Sequence, residues 1–172
     1  MIDLVVSPIN GYACPDDPGE PGTNAPRLSI NDQEGRILQE LVKNKDVLEI
    51  GTGLGISTKV MAMTANKVYT FDIDEWVREN VWPDLPDNVL GFRYPDSFVE
   101  VMDCAFIDSL HTYEQCTNDI AFAREHVTPG GMIIFHDLYI QGVAQAVVES
   151  GLPFVHIQTT AGMALAWNDI KK

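Results

Sequence analysis

The stretch DVLEIGTGLGIST, residues 46–58, restricts what this chain can fold into more than any other. Five mostly apolar residues run into Gly51, Gly53 and Gly55, and ISTKVMAMTA follows with a helical pattern. A short apolar run that ends in glycines reads as a strand buried on both faces. The glycines let the backbone turn sharply and approach a ligand closely, while the helix behind them points its N-terminus at the same place.

The alternation of strand and helix extends along the chain. NDQEGRILQELVK opens with Asn31 three residues before Glu34, the spacing of a capping box, and Ile37, Leu38, Leu41 and Val42 share one helical face. KVYTFDI reads as a strand, DEWVRENV as a short helix begun by Asp74 and stopped before Pro83, and NVLGFRY and DCAFID as two more strands. Thr112 and Gln115 repeat the capping spacing ahead of Tyr113, Cys116, Ile120, Ala123 and Val127, which recur at helical intervals. TPGG predicts a turn, MIIFH a strand, and QGVAQAVVES a helix ended by Gly151. FVHIQTT and GMALAW predict a closing antiparallel hairpin. The pattern specifies an α/β domain with a mainly parallel sheet of seven strands and helices on both faces.

With 172 residues and 45% hydrophobic content, the chain suits one well-buried domain, assigned to residues 31–172. Residues 1–30 form an N-terminal extension, and CPDDPGEPGTNAP within it predicts a mobile loop, serving as a linker or as a lid. A net charge of −14 with no compensating Lys/Arg cluster argues against nucleic acid and favours a neutral or cationic small-molecule partner. The apolar runs fall far short of the ~20 residues of a membrane span, and the N-terminus MIDLVVSPIN lacks a basic n-region, so a cytoplasmic location is expected. Cys14, Cys104 and Cys116 show no metal or redox spacing; Cys104 and Cys116 are expected in the core. Self-association is left open.

Ligands of such sheets bind at the carboxyl ends of the strands. The residues there are Gly51 to Gly55, Asp72, Asp96 with Ser97, Asp108 with His111, and His136 with Asp137. A dinucleotide fingerprint needs glycine at position 56, where Ile56 stands, and no Lys-Ser pair of a phosphate loop follows Gly55. Asp72 ends the next strand, where a carboxylate can accept the hydroxyls of a ribose.

VLEIGTGLGIST, VYTFDID and TPGGMIIFHD together resemble the class I S-adenosylmethionine-dependent methyltransferases, over about Asn31 to Trp167. FID-x-x-HTYE with PGG-x-I-I-F-H-D is similar to the small-molecule O-methyltransferase group that includes sugar-type enzymes, and more distantly to the metal-dependent catechol type. The resemblance implies a Rossmann-like sheet, S-adenosylmethionine as cofactor, and transfer to a hydroxyl of a small acceptor, a sugar among them. By motif position, Glu49, Gly51, Thr52, Gly53, Gly55 and Ser57 match the side that holds the amino-acid part of the cofactor. Asp72 and Ile73 match the ribose side. Asp96 and Ser97 match the adenine side, although Pro95 replaces the usual glycine.

Methyl transfer requires the acceptor to be positioned and its oxygen to lose a proton. In the metal-dependent relatives an acid after the fourth strand and an acidic pair after the fifth hold a divalent cation, and a base lies three residues beyond the first acid. By that resemblance Asp108, His136 and Asp137 would hold Mg²⁺ or another divalent metal, Asp108 would also touch the cofactor, and His111 would be the base. An ordinary imidazole, titrating near ~6.5, suits that role. The same residues also have purely structural readings: Asp108 at a helix N-terminus, Asp137 as a helix cap, His136 packed and hydrogen-bonded. His126, His156 and the tryptophans Trp76, Trp82 and Trp167 are expected to serve packing. The alternative function is a non-methylating relative that binds S-adenosylmethionine, either a partner subunit or a hydroxylase-type enzyme. A nicotinamide dehydrogenase is disfavoured by Ile56.

Overall fold

A computed structural model describes residues 30–95 and 97–169; Asp96 and the loop predicted over residues 14–26 lie outside it. In chain order the elements are α1 (Asp32–Leu41), β1 (Asp46–Ile50), α2 (Ile56–Ala62), β2 (Lys67–Asp72), α3 (Glu75–Asn80), a 3₁₀ turn (Trp82–Asp84), β3 (Val89–Arg93), β4 (Met102–Ile107), α4 (Tyr113–His126), β5 (Val127–Phe135), α5 (Gln141–Glu149), β6 (Phe154–Ile157) and β7 (Met163–Trp167). They build one seven-stranded sheet of order β3-β2-β1-β4-β5-β7-β6. The pairs from β3 to β5 are parallel, and β7 runs antiparallel to both β5 and β6. This is the Rossmann-like methyltransferase sheet, with its antiparallel C-terminal pair. The chain leaves β1 for one side of the sheet and returns to β4 on the other, so the β1/β4 junction is the switch point where such sheets open a crevice.

Period-two burial explains why the strands sit between two layers of helices. On β4, Ala105 and Ile107 face a core shared with Cys116, Ile120 and Ala123 of α4 and Val143 and Val147 of α5. Cys104 and Phe106 face the opposite core, with Leu38 of α1 and Met61 of α2. Phe106 has no exposed surface, and its truncation to alanine should cost about 3–5 kcal/mol. Both described cysteines are free and buried, as core residues.

The helix starts follow the predicted chemistry. Asn31 Oδ1 accepts from the amides of Gln33 and Glu34, and Glu34 Oε2 accepts from the Asn31 amide at 2.9 Å, completing the capping box. Asp74 caps α3 through the Trp76 amide. Thr112 caps α4 through the Gln115 amide, but the Gln115 side chain donates to Asp119 instead of returning, so only half the box forms. No helix of the described residues is long and apolar enough to cross a membrane.

One expected turn is corrected. Thr128-Pro129-Gly130-Gly131 belongs to β5, because Asn168 supplies the missing partners: its carbonyl accepts from Gly130, its amide donates to Gly131, and its Nδ2 donates to the Val127 carbonyl at 2.6 Å. The glycines are absorbed as an irregularity in the β4/β5 register between Met102 and Cys104.

Candidate active site

The glycine loop is held from below and from the side. Gly51, Gly53 and Gly55 all have positive φ, at 100°, 50° and 73°. A Cβ at Gly51 would lie 2.1 Å from the Asp108 carbonyl oxygen, so only glycine lets the ends of β1 and β4 meet. Asp72, at the end of β2, takes the loop's amides: its Oδ2 accepts from Thr52 and Gly53, both at 3.0 Å, and its Oδ1 accepts from Asp74 at 2.8 Å. Glu49 works underneath. It is fully buried, and Ser57 and Thr58 each donate a hydroxyl to one of its oxygens at 2.6 Å. Burial pushes its carboxyl up to about 7 against those donors.

A cavity of about 580 Å³ opens above this loop. It brings together Gly51, Thr52, Gly53, Ser57, Asp72 and Ile73 from the first two strand ends with Asp108, His111, His136 and Asp137 from β4 and β5. Glu49 and Gly55 do not line it: the first braces the loop on α2, and the second turns it against Val81. Ser97 is exposed and also off the lining. Tyr94 takes that side of the wall, next to a cis bond to Pro95. Trp76 departs from its expected packing role, since it lines the mouth while 53% exposed. Trp82 does pack, lying so close over Gly91 that a Cβ there would meet its ring at 2.5 Å.

Five ionisable side chains converge on the inner end. Asp108 follows β4, His111 sits in the turn before α4, His136 and Asp137 follow β5, and Glu34 reaches in from α1. His111 Nε2 lies 3.0 Å from Asp137 Oδ2 and 3.4 Å from Asp108 Oδ1. His136 Nδ1 lies 3.2 Å from Asp137 and 3.5 Å from Asp108, while its Nε2 lies 3.2 Å from Glu34 Oε2. Neither His136 nitrogen meets a partner in well-aligned hydrogen-bond geometry, so these are ion-pair contacts around a buried ring. Asp137 is held at φ 53°, a left-handed conformation that Asp tolerates better than most residues.

The charges sustain each other. Burial works to raise Asp108 and Asp137, but contact with His111 and His136 outweighs it and holds both carboxyls below the usual range. Burial likewise opposes the charge on Glu34, yet His136 and the Asn31 amide hold it at about 2. Asp108 and Asp137 raise His111 to about 9. His136, facing three carboxylates, is raised to about 12 despite its burial. This corrects the expectation of an ordinary imidazole at His111: in the free protein at neutral pH it keeps its proton.

The donor atoms of Asp108, His111 and Asp137 all lie within 4.8 Å of one another. Two carboxylates and an imidazole suit a divalent cation of the Mn²⁺ kind, and His136 Nδ1 faces the same two carboxylates from the buried side. The donor chemistry therefore fits the expected metal. Asp137 does not cap α5, whose N-cap is Ile140 without a side-chain bond.

Sequence reasoning missed two residues. Glu34 reads as a helix start, yet its carboxylate is buried at the site. Asp119 of α4 has no exposed surface and accepts from Ser109 and Gln115, both of which line the cavity. Its signal was an acid on the buried stripe of Cys116, Ile120 and Ala123.

A family model described as a methyltransferase domain matches residues 48–138, more than half of the chain. No curated protein matches it. Among solved structures, the O-methyltransferase from Bacillus cereus in complex with SAH has a TM-score of 0.69 at 21% identity, over 84% of each chain. The O-methyltransferase TomG from Streptomyces achromogenes, involved in tomaymycin synthesis and in complex with SAM, has a TM-score of 0.70 at 16% identity, over 95% of this chain and 92% of that one. The N-methyltransferase NodS from Bradyrhizobium japonicum WM9 has a TM-score of 0.63 at 16% identity, over 80% and 95%. At these identities the likeness is one of fold. With the glycine loop, Asp72 at the end of β2 and the sheet order in place, the matched domain shows that this chain belongs to the methyltransferase-domain family, as an S-adenosylmethionine-dependent methyltransferase.

Proposed function

We propose that the chain methylates a hydroxyl of a small, neutral or cationic, polyhydroxylated acceptor such as a sugar, assisted by a divalent cation. One observation carries this reading: the Asp108, His111 and Asp137 cluster opens into the same cavity as the glycine loop and Asp72. The two O-methyltransferase structures that hold SAM or SAH support the cofactor assignment.

When bound, S-adenosylmethionine supplies the methyl group, which passes in line from sulfur to the acceptor oxygen as the carbon–sulfur bond breaks. The chain's task is placement. Asp72 accepts from the ribose, with Ile73 beside it, and the Thr52 and Gly53 backbone sets the height of the loop. Asp108 and Asp137, with the His136 imidazole, would hold the cation, which when bound would make an acceptor hydroxyl more acidic and leave His111 to serve as the base. His111 takes the hydroxyl proton. In the free protein it cannot, because Asp108 and Asp137 hold its proton in place. With a cation held by those carboxylates, the hold on the His111 proton would weaken, and the ring would act as a base at neutral pH.

The wall also limits the acceptor. There is no Lys or Arg among the described lining residues, and both imidazoles are already paired with carboxylates, so the wall favours a neutral or cationic acceptor over an anionic one. Leu54, Ile56 and Leu110 at the mouth offer apolar contact to the rest of the molecule.

The test is S-adenosylhomocysteine release from a panel of neutral, cationic and anionic acceptors, with Mn²⁺ or with a chelator. Turnover of hydroxylated neutral or cationic acceptors, lost in His111→Ala, is the expected result. Turnover confined to amine nitrogens, or to anionic acceptors, would overturn the reading.

A further inference from the structure

A carboxylate buried on a helix costs stability unless donors surround it. Asp119 of α4 has no exposed surface, and its three partners all come from the cavity wall. Ser109 Oγ, just after β4, donates to Oδ2, and Gln115 Nε2, one turn earlier on α4, donates to Oδ1 at 2.7 Å. The Tyr94 phenol, just after β3, contacts both Asp119 and Gln115. Asp119 itself does not line the cavity, so it acts on a ligand only through these side chains. Their place in the sheet order tells which part of the cofactor they meet. The glycine loop follows β1, Asp72 ends β2 and Tyr94 follows β3, one strand further out. With the methyl group facing the acid corner after β4 and β5, a ribose at Asp72 sends its base away from that corner, toward Tyr94 and Gln115.

A primary amide has a donor end and an acceptor end, and a carboxylate can only accept. Asp119 therefore takes the nitrogen of Gln115, which leaves the carbonyl oxygen Oε1 for the cavity. We infer that Asp119 is a positioning residue for the cofactor's base, holding Gln115 so that Oε1 accepts from the 6-amino group of adenine and repels the 6-carbonyl of a keto purine. Glutamine oxygens read that amino group in the same way on nucleic-acid bases. The inference rests on the cofactor lying in the cavity with its ribose at Asp72. Without Asp119 the Gln115 amide is free to turn over, and it then serves either base.

The competing view is that Asp119 only ties α4 to the end of β4. Calorimetric titration with S-adenosylhomocysteine and S-inosylhomocysteine, which differ at that ring position, separates the two in wild type, Asp119→Leu and Gln115→Ala. A loosened wall weakens both ligands alike and leaves their ratio as it was, whereas a misdirected Gln115 changes the ratio. Wild type should bind the adenosyl ligand about 5- to 150-fold more tightly, the effect of setting one acceptor against another. Both variants should bring the two affinities within about twofold of each other. An unchanged ratio in either variant, or equal binding of the two ligands by wild type, would overturn the inference and leave the cofactor site standing. If wild type binds neither ligand, the cofactor placement fails and the inference falls with it. If Asp119→Leu does not fold, the Gln115 side-chain amide of the wild type decides by NMR: protons protected from exchange support its hold by Asp119, and freely exchanging protons refute it.

Discussion

Replacing Asp72 by alanine tests the cofactor side without knowledge of the acceptor. An ionised carboxylate has about four lone-pair directions. In this structure the Thr52 and Gly53 amides take those of Oδ2 and the Asp74 amide takes one of Oδ1, which leaves a single direction free. In the proposed ribose-binding role, Asp72 would therefore give the ribose one charge-assisted hydrogen bond, of about 1.5–3 kcal/mol. Asp72→Ala should then raise the Kd of S-adenosylhomocysteine by about 10- to 150-fold. Of the three amides it strands, those of exposed Gly53 and Asp74 can turn to water, while Thr52 is buried, so loosening of the loop is followed separately. Calorimetric titration of wild type and variant gives the ratio, and hydrogen exchange at Thr52 and Gly53 reports whether the loop has loosened. A change below about threefold refutes ribose binding by Asp72. A loss beyond about a thousandfold refutes the one-bond accounting, and means that the two loop amides leave Asp72 so that both hydroxyls can bind.

The other predictions concern pH and packing. Glu49 has a raised folded pKa, about 7 against 4.5, so its contribution to stability is full below 4.5 and lost as pH rises through 7. Glu49→Gln should flatten the melting-temperature profile across that window, and an unchanged slope would deny the assignment. His111 is raised from 6.5 to about 9, so its contribution is full below 6.5 and fades as pH rises toward 9. His111→Gln in metal-free protein should flatten this higher window only; a variant that keeps the wild-type slope there speaks against the Asp108 and Asp137 contacts. Glu34, lowered to about 2, stabilises above 4.5 and loses that contribution as pH falls, so Glu34→Gln should blunt acid unfolding. Gly142→Ala puts a Cβ 2.6 Å from the His111 carbonyl and 2.8 Å from the Tyr113 amide, backbone atoms that yield little. It should cost about 1–3 kcal/mol in denaturant titration, and wild-type stability would show that the two helix starts are not in contact as described.

Local signals carried the reading of the elements. The strands β1, β2 and β4 are short, mostly apolar and end on or just before Gly or Asp, and the two-faced burial of β1 and β4 follows from the helices between, whereas edge strand β3 is largely exposed. The site corners were legible for the same reason: Asp72, Asp108, His111, His136 and Asp137 stand just after strands, where a parallel sheet opens. Misreadings came where partners are distant in sequence. Pro129-Gly130-Gly131 has every mark of a turn, and becomes strand because Asn168, far downstream, pairs with it. Glu34 fits a capping box and needs nothing more until Ala161 and His136 fold against it. Glu49 was placed at the ligand by its motif, whereas Ser57 and Thr58, one turn into α2, draw it inward. The high pKa of His111 depends on two acids meeting from different strands, which no single segment displays.

The contact at Gly51 bears on how the molecule tolerates change. Because that glycine lies against the Asp108 carbonyl, with room for no side-chain atom, the separation of the cofactor loop from the acid corner is set by main chain on main chain. In the proposed transfer site the two strand ends would act as a fixed gauge for the gap a methyl group must cross, and reaction rates fall steeply when such a gap is wrong by an ångström. Adapting to a larger or smaller acceptor is thus left to the rim, where Leu54, Trp76 and Leu110 stand partly in water and can be exchanged without resetting the gauge.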